Sequence, residues 1–207
     1  MNRVGRPREA GIDARIVDAV AELVPQYGYS GLTVERVVKV AKTSKPAFYR
    51  RFKSIADVVP LILASRFGTD VDVDTGSVAG DLLEIQIRQC ELYNHVLTRS
   101  ALAGFLDYLA IHPDDAKPFV EGYLAPRRAF THVLLDRGVA RGEIPAGADP
   151  AYVADLLTGP VIMRGLLPGM PAIDAELVRR TVSTVLTEIG YTGDRSMLED
   201  FEFPREA

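Results

Sequence analysis

Leu32–Phe52 reads LTVERVVKVAKTSKPAFYRRF, and its pattern predicts two short helices joined by a tight turn. Thr33 is a good N-cap for the first helix, and Glu35 lies in the first turn, where the helix dipole favours a carboxylate. Ser44 can cap the second helix. Pro46 lies in its first turn, where a missing N–H breaks no hydrogen bond. Local chemistry therefore marks the start of both helices.

A further helix precedes this pair. Apolar residues recur at helical spacing from Ile12 to Tyr27, and Gly28 follows as a C-terminal stop. The three helices share a small apolar core, which is expected to contain Val34, Val37, Val38, Ala41, Ala47, Phe48 and Phe52. This arrangement predicts a helix-turn-helix unit, whose second short helix enters the major groove of DNA.

The start of that recognition helix carries the residue types that read DNA. Lys45 can donate to guanine O6 and N7. Tyr49 lies one turn later on the same side and can reach a phosphate, as can Thr33 on the preceding helix. Lys53 and Ser54 begin the next helix, where a cation and free N–H groups suit a second phosphate.

Charge is divided unevenly along the chain, although its net value is only −4. Residues 1–53 hold 11 Lys and Arg against 5 Asp and Glu, whereas residues 54–207 hold 13 against 23. A basic N-terminal part that includes Arg3, Arg6 and Arg8 suits a polyanion, and the acidic remainder does not. DNA binding is therefore expected at one end of the chain.

The same segment resembles the TetR family of one-component transcriptional repressors. The resemblance covers residues 12–60, and Gly5-Arg6-Pro7-Arg8 is similar to the basic arm of the family, which can enter a minor groove. The matching elements are Tyr27-Gly28, Leu32-Thr33, Ala41, the Ser-Lys-x-x-x-Tyr-x-x-Phe pattern of Ser44 to Phe52, and Lys53. The resemblance implies a dimer that binds a palindromic operator near its own or a neighbouring gene.

One residue departs from the family pattern, because Lys42 stands where the family usually has glycine after the alanine of the turn. If this position needs a positive φ, lysine costs on the order of 1 kcal/mol relative to glycine, although its cation can reach DNA. The residues expected to contact DNA are Arg6, Thr33, Lys42, Thr43, Ser44, Lys45, Pro46, Phe48, Tyr49 and Lys53.

Helical periodicity continues through the rest of the chain. Ser54 can cap a connecting helix that ends near Phe67, and a loop follows from about Gly68 to Ser77. Later helices are expected at about 78–98, 100–111, 150–167 and 174–190. Between the second and third of these, Pro118 and Pro126 interrupt a helical stretch that resumes through Phe130 and stops at Gly142. The prediction is an all-α fold of about nine helices. Residues 1–53 form the basic arm and DNA-binding domain, residues 54–207 form a ligand-binding and dimerisation domain, and helix 54–67 connects the two.

Helices near 150–167 and 174–190 carry broad apolar faces. The first face comprises Tyr152, Val153, Leu156, Leu157 and Val161, and the second comprises Leu177, Val178, Thr181, Val182, Val185 and Ile189. A four-helix contact between two copies would cover both faces, and it is the expected homodimer interface. The alternative is that both faces pack inward, as one face of a core helix must.

The second domain is also expected to bind a small, largely apolar effector. Aromatic and methionine side chains are the candidates for its pocket, with tyrosine hydroxyls and His95 as polar groups. They are Phe67, Tyr93, Phe105, Tyr108, Tyr123, Phe130 and Met163. The alternative for each is that it fills the core.

Other kinds of chemistry are not indicated. The three histidines lack metal-ligand spacing, and no phosphate loop or nucleophile pattern occurs, so no enzyme, cofactor or metal is expected. The acidic stretch from Asp70 starts like a calcium loop. Thr75 replaces the glycine of the sixth place, however, and Asp81 replaces the usual glutamate of the twelfth. An acidic linker is the preferred interpretation.

Membrane insertion and secretion are not indicated either. No apolar run approaches the roughly 20 residues that span a bilayer, and no apolar h-region follows the basic start. The single Cys90 fits a reducing cytoplasm, and its apolar surroundings predict a buried small side chain.

These patterns predict a cytoplasmic, ligand-responsive regulator that binds double-stranded DNA as a homodimer and is released from its operator by the effector. The alternative is a helical ligand carrier or enzyme whose N-terminal unit no longer binds DNA.

Overall fold

The computed structural model describes residues 10–69 and 73–203, and within them every regular element is helical. The α-helices are α1 (Ala10–Tyr27), α2 (Val34–Val40), α3 (Lys45–Tyr49), α4 (Val59–Phe67), α5 (Val78–Asn94), α6 (Val96–Ile111), α7 (Lys117–Phe119), α8 (Ala125–Ala140), α9 (Pro150–Leu166), α10 (Ala175–Glu188) and α11 (Ser196–Glu199). Nine α-helices of the described residues have five residues or more, which confirms the predicted all-α fold. The arm with Arg6 and the acidic residue Asp70 lie outside the described residues.

Two compact units divide the described chain. The first contains the residues up to Arg66 together with Ser100–Phe119, and the second contains Phe67–Arg99 together with the residues from Val120. Most of α6 therefore belongs to the same unit as α1, α2 and α3. This division differs from the boundary expected near residue 53, because helical periodicity indicates which face of a helix is buried but not which elements cover it.

Helices α1, α2 and α3 pack around a small apolar core in the first unit. Phe48, Val37 and Ile16 have no exposed surface. The side chain of Arg15 on α1 donates through Nε to the carbonyl of Ala41 at 3.1 Å, which ties α1 to the turn after α2. The predicted three-helix unit is therefore present, and truncating a buried phenylalanine in such a core typically costs about 3–5 kcal/mol.

Helices α5, α8, α9 and α10 form the core of the second unit, where Leu82, Leu134 and Leu157 have no exposed surface. Gln86 is also fully buried. Its amide Nε2 donates to the carbonyl of Leu157 at 3.0 Å and to the Thr181 hydroxyl at 2.9 Å. Because a buried amide needs hydrogen-bond partners, this side chain ties α5 to α9 and α10. Cys90 is fully buried, as predicted.

Asp81, in the first turn of α5, is fully buried. Its Oδ1 accepts hydrogen bonds from the Thr75 backbone N–H at 2.6 Å and from the Thr75 hydroxyl at 2.7 Å. Arg141 Nη2 lies 3.5 Å from its other oxygen. These contacts show that the Asp81 carboxylate anchors the start of α5. Within residues 10–69 and 73–203, no three His, Cys, Asp or Glu side chains form a group that could hold a metal ion.

Two helix boundaries differ from the predictions. The helix expected to reach residue 98 ends at Asn94, and His95 is extended, with ψ of 137°. The ring of His95 accepts a hydrogen bond from the Leu97 N–H at 3.2 Å, which begins α6. Between the prolines at 118 and 126 the chain forms a π-helical turn, Val120–Leu124. No helix of the described chain is long and apolar enough to cross a membrane.

Candidate nucleic-acid interface

The turn between α2 and α3 has a backbone conformation that usually requires glycine. Lys42 has φ of 50°, the one positive value at a non-glycine residue in the described chain. The N–H of Thr43 donates to the carbonyl of Val38 at 2.9 Å, which is the long hydrogen bond of a Schellman turn. Helices α8 and α10 end in the same way, with Gly142 and Gly190 at the left-handed position. The positive φ suspected at Lys42 is therefore present.

The first turn of α3 presents its polar side chains to solvent. Ser44 is the N-cap, and its hydroxyl accepts a hydrogen bond from the Ala47 N–H at 3.3 Å. Ser44, Lys45 and Pro46 are exposed, and Thr43 is half-buried. This is the surface that a recognition helix offers to base edges.

Lys45 is not isolated on this surface. Its Nζ forms an ion pair with the carboxylate of Glu35, which lies in the first turn of α2. From the sequence, Glu35 was expected only to stabilise the start of α2. A carboxylate beside the main candidate for base recognition was therefore missed, because the two residues lie ten positions apart.

Two neighbouring aromatic residues on α3 have opposite environments. Tyr49 is 57% exposed, whereas Phe48 has no exposed surface. Their rings meet edge to face, with centroids 5.5 Å apart. Phe48 was among the residues expected to contact DNA, and its complete burial instead makes it part of the core that supports Tyr49.

The two arginines after Tyr49, Arg50 and Arg51, differ in their exposure to solvent. Arg50 is exposed. The Arg51 side chain is only 14% exposed, forms an ion pair with Asp13 of α1, and donates to the carbonyl of Ala47 at 3.0 Å. Arg51 therefore joins α1 to α3, and its charge is neutralised within the unit.

The N–H groups after α3 already have an anionic partner. The backbone N–H of Lys53 donates to Asp57 Oδ2 at 2.6 Å, and the Ser54 hydroxyl caps a short 3₁₀ helix, Ile55–Asp57, that precedes α4. The phosphate site expected at these N–H groups is therefore occupied by Asp57. The side chain of Lys53 remains exposed.

The start of α2 adds Arg36, which was not among the residues expected to contact DNA. Thr33 is exposed and caps α2 by accepting a hydrogen bond from the Arg36 N–H at 3.3 Å. The guanidinium of Arg36 lies over the ring of Tyr27, 4.2 Å from its centroid. Such a cation–π contact holds an exposed cation in one orientation.

The seven residues predicted to bind an effector are divided between the two units. Phe105 and Tyr108 belong to the first unit, where both rings pack on Tyr29 with centroid distances of 5.3 and 5.6 Å. The Tyr108 hydroxyl donates to Asp115 at 2.5 Å. In the second unit, Phe130 is buried in the core and Met163 is 54% exposed. The other three, Phe67, Tyr93 and Tyr123, lie in the second unit near Arg127.

The helix faces predicted to form a dimer interface pack largely within the chain. On α9, Tyr152 is exposed and Leu156 is half-buried, whereas the remaining three residues of that face are buried. Every predicted residue of the α10 face, from Leu177 to Ile189, is buried. The inward-packing alternative therefore holds for α10. The exposed or half-buried face of α9 instead contains Tyr152, Leu156, Gly159, Met163 and Leu166.

Two family descriptions match this chain. Residues 16–60 match the family described as bacterial regulatory proteins, tetR family. Residues 72–185 match the family described as tetracyclin repressor-like, C-terminal domain. The two matches cover the helix-turn-helix unit and most of the second unit.

Similar proteins are found among curated sequences and solved structures. The HTH-type transcriptional regulator YdeS of Bacillus subtilis is 28% identical over 173 residues, covering 80% of this chain and 83% of YdeS. The transcriptional regulator AcuR of Cereibacter sphaeroides is 30% identical over 168 residues, covering 74% and 76%. The crystal structure of the TetR family transcription regulator SCO0332 has a TM-score of 0.69 and 27% identity, covering 86% of this chain and 98% of that one.

Proposed function

The chain belongs to the tetR family of bacterial regulatory proteins, and on this premise we propose that it is a repressor released from a palindromic operator by a small, largely apolar effector. Regulators of this family bind DNA operators, dimerise and respond to small molecules. For this chain we propose in addition that it represses transcription, that its operator is palindromic and that its effector is largely apolar. The protein would act in the cytoplasm, where its DNA lies.

The observation that carries the proposal is the exposed start of α3. Ser44 and Lys45 lie where base edges are read, and Tyr49 lies one turn later with more than half of its side chain exposed. In the proposal Lys45 reads a guanine, whereas Tyr49, Thr33 and Lys53 hold phosphates. Lys42, Thr43 and Pro46 border the same surface.

Two copies would associate through α9. The exposed or half-buried face of Tyr152, Leu156, Gly159, Met163 and Leu166 follows the alternating spacing of four and three residues that joins helices in bundles. Part of α10 would complete a four-helix contact through its polar outer side. This revises the interface proposed from the sequence, because the buried α10 residues cannot contact a second copy.

Effector binding would act through α4, which begins at Val59 in the first unit and ends at Phe67 in the second. Two recognition helices must lie about 34–36 Å apart to enter successive major grooves. A ligand that favours another position of α4 therefore lowers DNA affinity by shifting the population of the dimer. The proposal assigns no catalytic step to any residue.

A gel shift against the DNA upstream of the gene tests the proposal. The wild-type protein should retard this DNA, and Lys45→Ala and Tyr49→Phe should each weaken binding. Arg88→Ala is the matched control, since Arg88 is paired with Glu84 on α5 of the other unit. If no DNA is retarded even at low salt and high protein concentration, the repressor proposal is wrong and a ligand carrier becomes the better interpretation.

A further inference from the structure

Arg127, on α8, lies among aromatic side chains of the second unit. Its guanidinium carbon lies 5.3 Å from the centroid of the Tyr123 ring. Nη1 donates to the carbonyl oxygens of Phe67 and Gly68, at 3.2 and 3.1 Å, at the end of α4. The Phe67 ring meets the His95 ring edge to face, with centroids 5.3 Å apart. One cation therefore connects the end of α4 to buried aromatic residues.

The charge of Arg127 has no carboxylate partner in the described part of the chain. Its hydrogen bonds go to two carbonyl oxygens, which carry only partial charge at the C-terminal end of a helix. The adjacent Arg128 differs, since its Nη1 donates to Asp155 at 2.8 Å. Arg127 is half-buried, and a cation in that position is better stabilised by a full anion with two parallel hydrogen bonds.

Two tyrosines add neutral donors beside this cation. Burial, with a smaller contribution from the nearby Tyr123, raises the pKa of Tyr93 to about 12. Burial also raises the pKa of Tyr123, which is 3% exposed and lies in the π-helical turn before α8. Both phenols therefore keep their protons at physiological pH and can donate to an anion. Single π-helical turns within helical segments occur frequently at functional sites.

We propose that Phe67, Tyr93, His95, Tyr123 and Arg127, here named the Arg127 cluster, bind the carboxylate of an effector whose remaining part is apolar or aromatic. This inference rests on the proposed function, because it assigns the chemical class of its effector. The carboxylate takes Nη1 and Nη2 as a two-pronged partner and displaces the carbonyls of Phe67 and Gly68 from the N–H groups of Nη1. The end of α4 thereby loses an anchor when the effector binds, which couples effector binding to DNA release.

Matched acids and amides test the class of effector with the full-length protein. The probes are benzoate and benzamide, phenylacetate and phenylacetamide, and hexanoate and hexanamide, each measured by thermal unfolding and by titration calorimetry. At least one acid should raise the unfolding temperature of the protein. The matching amide should bind more weakly than that acid, by about tenfold or more. If no acid binds at millimolar concentration, or if each amide binds as well as its acid, the inference is wrong.

Variants test the assignment to Arg127. Arg127→Gln should weaken acid binding by about tenfold to a hundredfold, and Arg127→Lys by less, because lysine keeps the charge but not the two-pronged geometry. Arg128→Gln is the matched control and should bind the acid as the wild type does. If circular dichroism shows that Arg127→Gln does not fold, the acid affinities of Arg127→Lys and Tyr123→Phe test the assignment instead. Unchanged acid affinity in the folded Arg127 variants overturns the assignment.

The two proposals can fail separately. Acid affinity is measured without DNA, and DNA retention is measured without acid. A protein that retards no DNA but binds acids through Arg127 contradicts the repressor proposal and leaves this inference standing. A protein that retards DNA but binds none of the acids contradicts this inference alone. When both hold, the acid should release wild-type protein from DNA, and Arg127→Gln, which lacks the anchor of α4, should bind DNA more weakly even without the acid.

Discussion

Glu35 on α2 forms an ion pair with Lys45, the first residue of α3. The side chains are 62% and 48% exposed, so water and salt weaken the pair and its contribution to folding is about 0–1 kcal/mol. We expect the ion pair to matter more for DNA recognition, because Lys45 is the main candidate to donate to a base. DNA must either displace the carboxylate or accept its negative charge close by.

Replacing Glu35 with glutamine should strengthen DNA binding. Glu35→Gln removes a negative charge from the surface proposed to face phosphates and frees the ammonium of Lys45, so we expect about threefold to tenfold tighter binding. The slope of log affinity against log salt should steepen by up to about 1. Fluorescence anisotropy over a range of salt concentrations measures both quantities.

Glu84→Gln is the control for this substitution, because Glu84 forms a similarly exposed ion pair with Arg88 on α5. The charge change is the same, yet DNA affinity should not change. Weaker binding of Glu35→Gln would contradict the prediction and would mean that the carboxylate holds Lys45 in its reading position.

Lys42→Gly should stabilise the protein and weaken DNA binding. Lys42 has φ of 50°, which strains an L-residue, so glycine should raise the free energy of unfolding by about 0.5–1 kcal/mol. The lost cation should reduce DNA affinity about threefold. Urea denaturation and operator titration measure the two effects. Lys42→Asn should weaken DNA binding equally, since asparagine tolerates this φ but carries no charge. A lower free energy of unfolding for Lys42→Gly than for the wild type would refute the backbone strain at residue 42.

Met163→Glu should separate the two copies of the proposed dimer. The side chain is 54% exposed in one chain, so a carboxylate there changes the stability of that chain by no more than about 0.5 kcal/mol. Against a second α9 it would be buried without a partner, which is strongly unfavourable. Sedimentation should show the wild type at twice 22.6 kDa and Met163→Glu as a single chain.

Val139→Glu is the control for the dimer, since Val139 is similarly exposed, at 40%, but lies near the end of α8. It should sediment as the wild type does. A wild-type protein that is a single chain at micromolar concentration would refute the interface altogether.

Cys90 should be unreactive in the native protein. Its thiol is fully buried, and burial, assisted by the charges of Asp174 and Glu91, raises its pKa to about 12. Very little thiolate therefore forms at pH 8, and the thiolate is the nucleophile. Ellman's reagent should react slowly with the native protein and rapidly in urea. Rapid, stoichiometric reaction without denaturant would show that Cys90 is accessible.

Helix starts were predictable because capping acts over three or four residues. Thr33, Ser44, Asp149 and Asp174 each accept a hydrogen bond from an N–H in the first turn of the helix that they cap. Gly28 ends α1 with φ of 64°, as its place in the sequence predicted. In each case the signal and the structure that it specifies lie within the same few residues.

Partners far apart in the chain were not predictable. In the sequence Arg51 follows Tyr49 by two residues at the end of the recognition helix, but its side chain is paired with Asp13 on α1. Arg127 meets the carbonyl of Phe67 across 60 positions of the sequence. No periodicity or cap indicates such a contact, because long side chains reach whichever group the fold brings near.

The helices, the exposed polar start of α3 around Ser44 and Lys45, and the family to which the chain belongs could all be predicted from the sequence. Local hydrogen bonds, apolar periodicity and a specific motif carry that information. Packing between distant parts of the chain is what buries the apolar face of α10, pairs Glu35 with Lys45 and places Arg127 against the end of α4. These outcomes depend on which surfaces pack together, and an apolar or charged side chain does not specify its own partner.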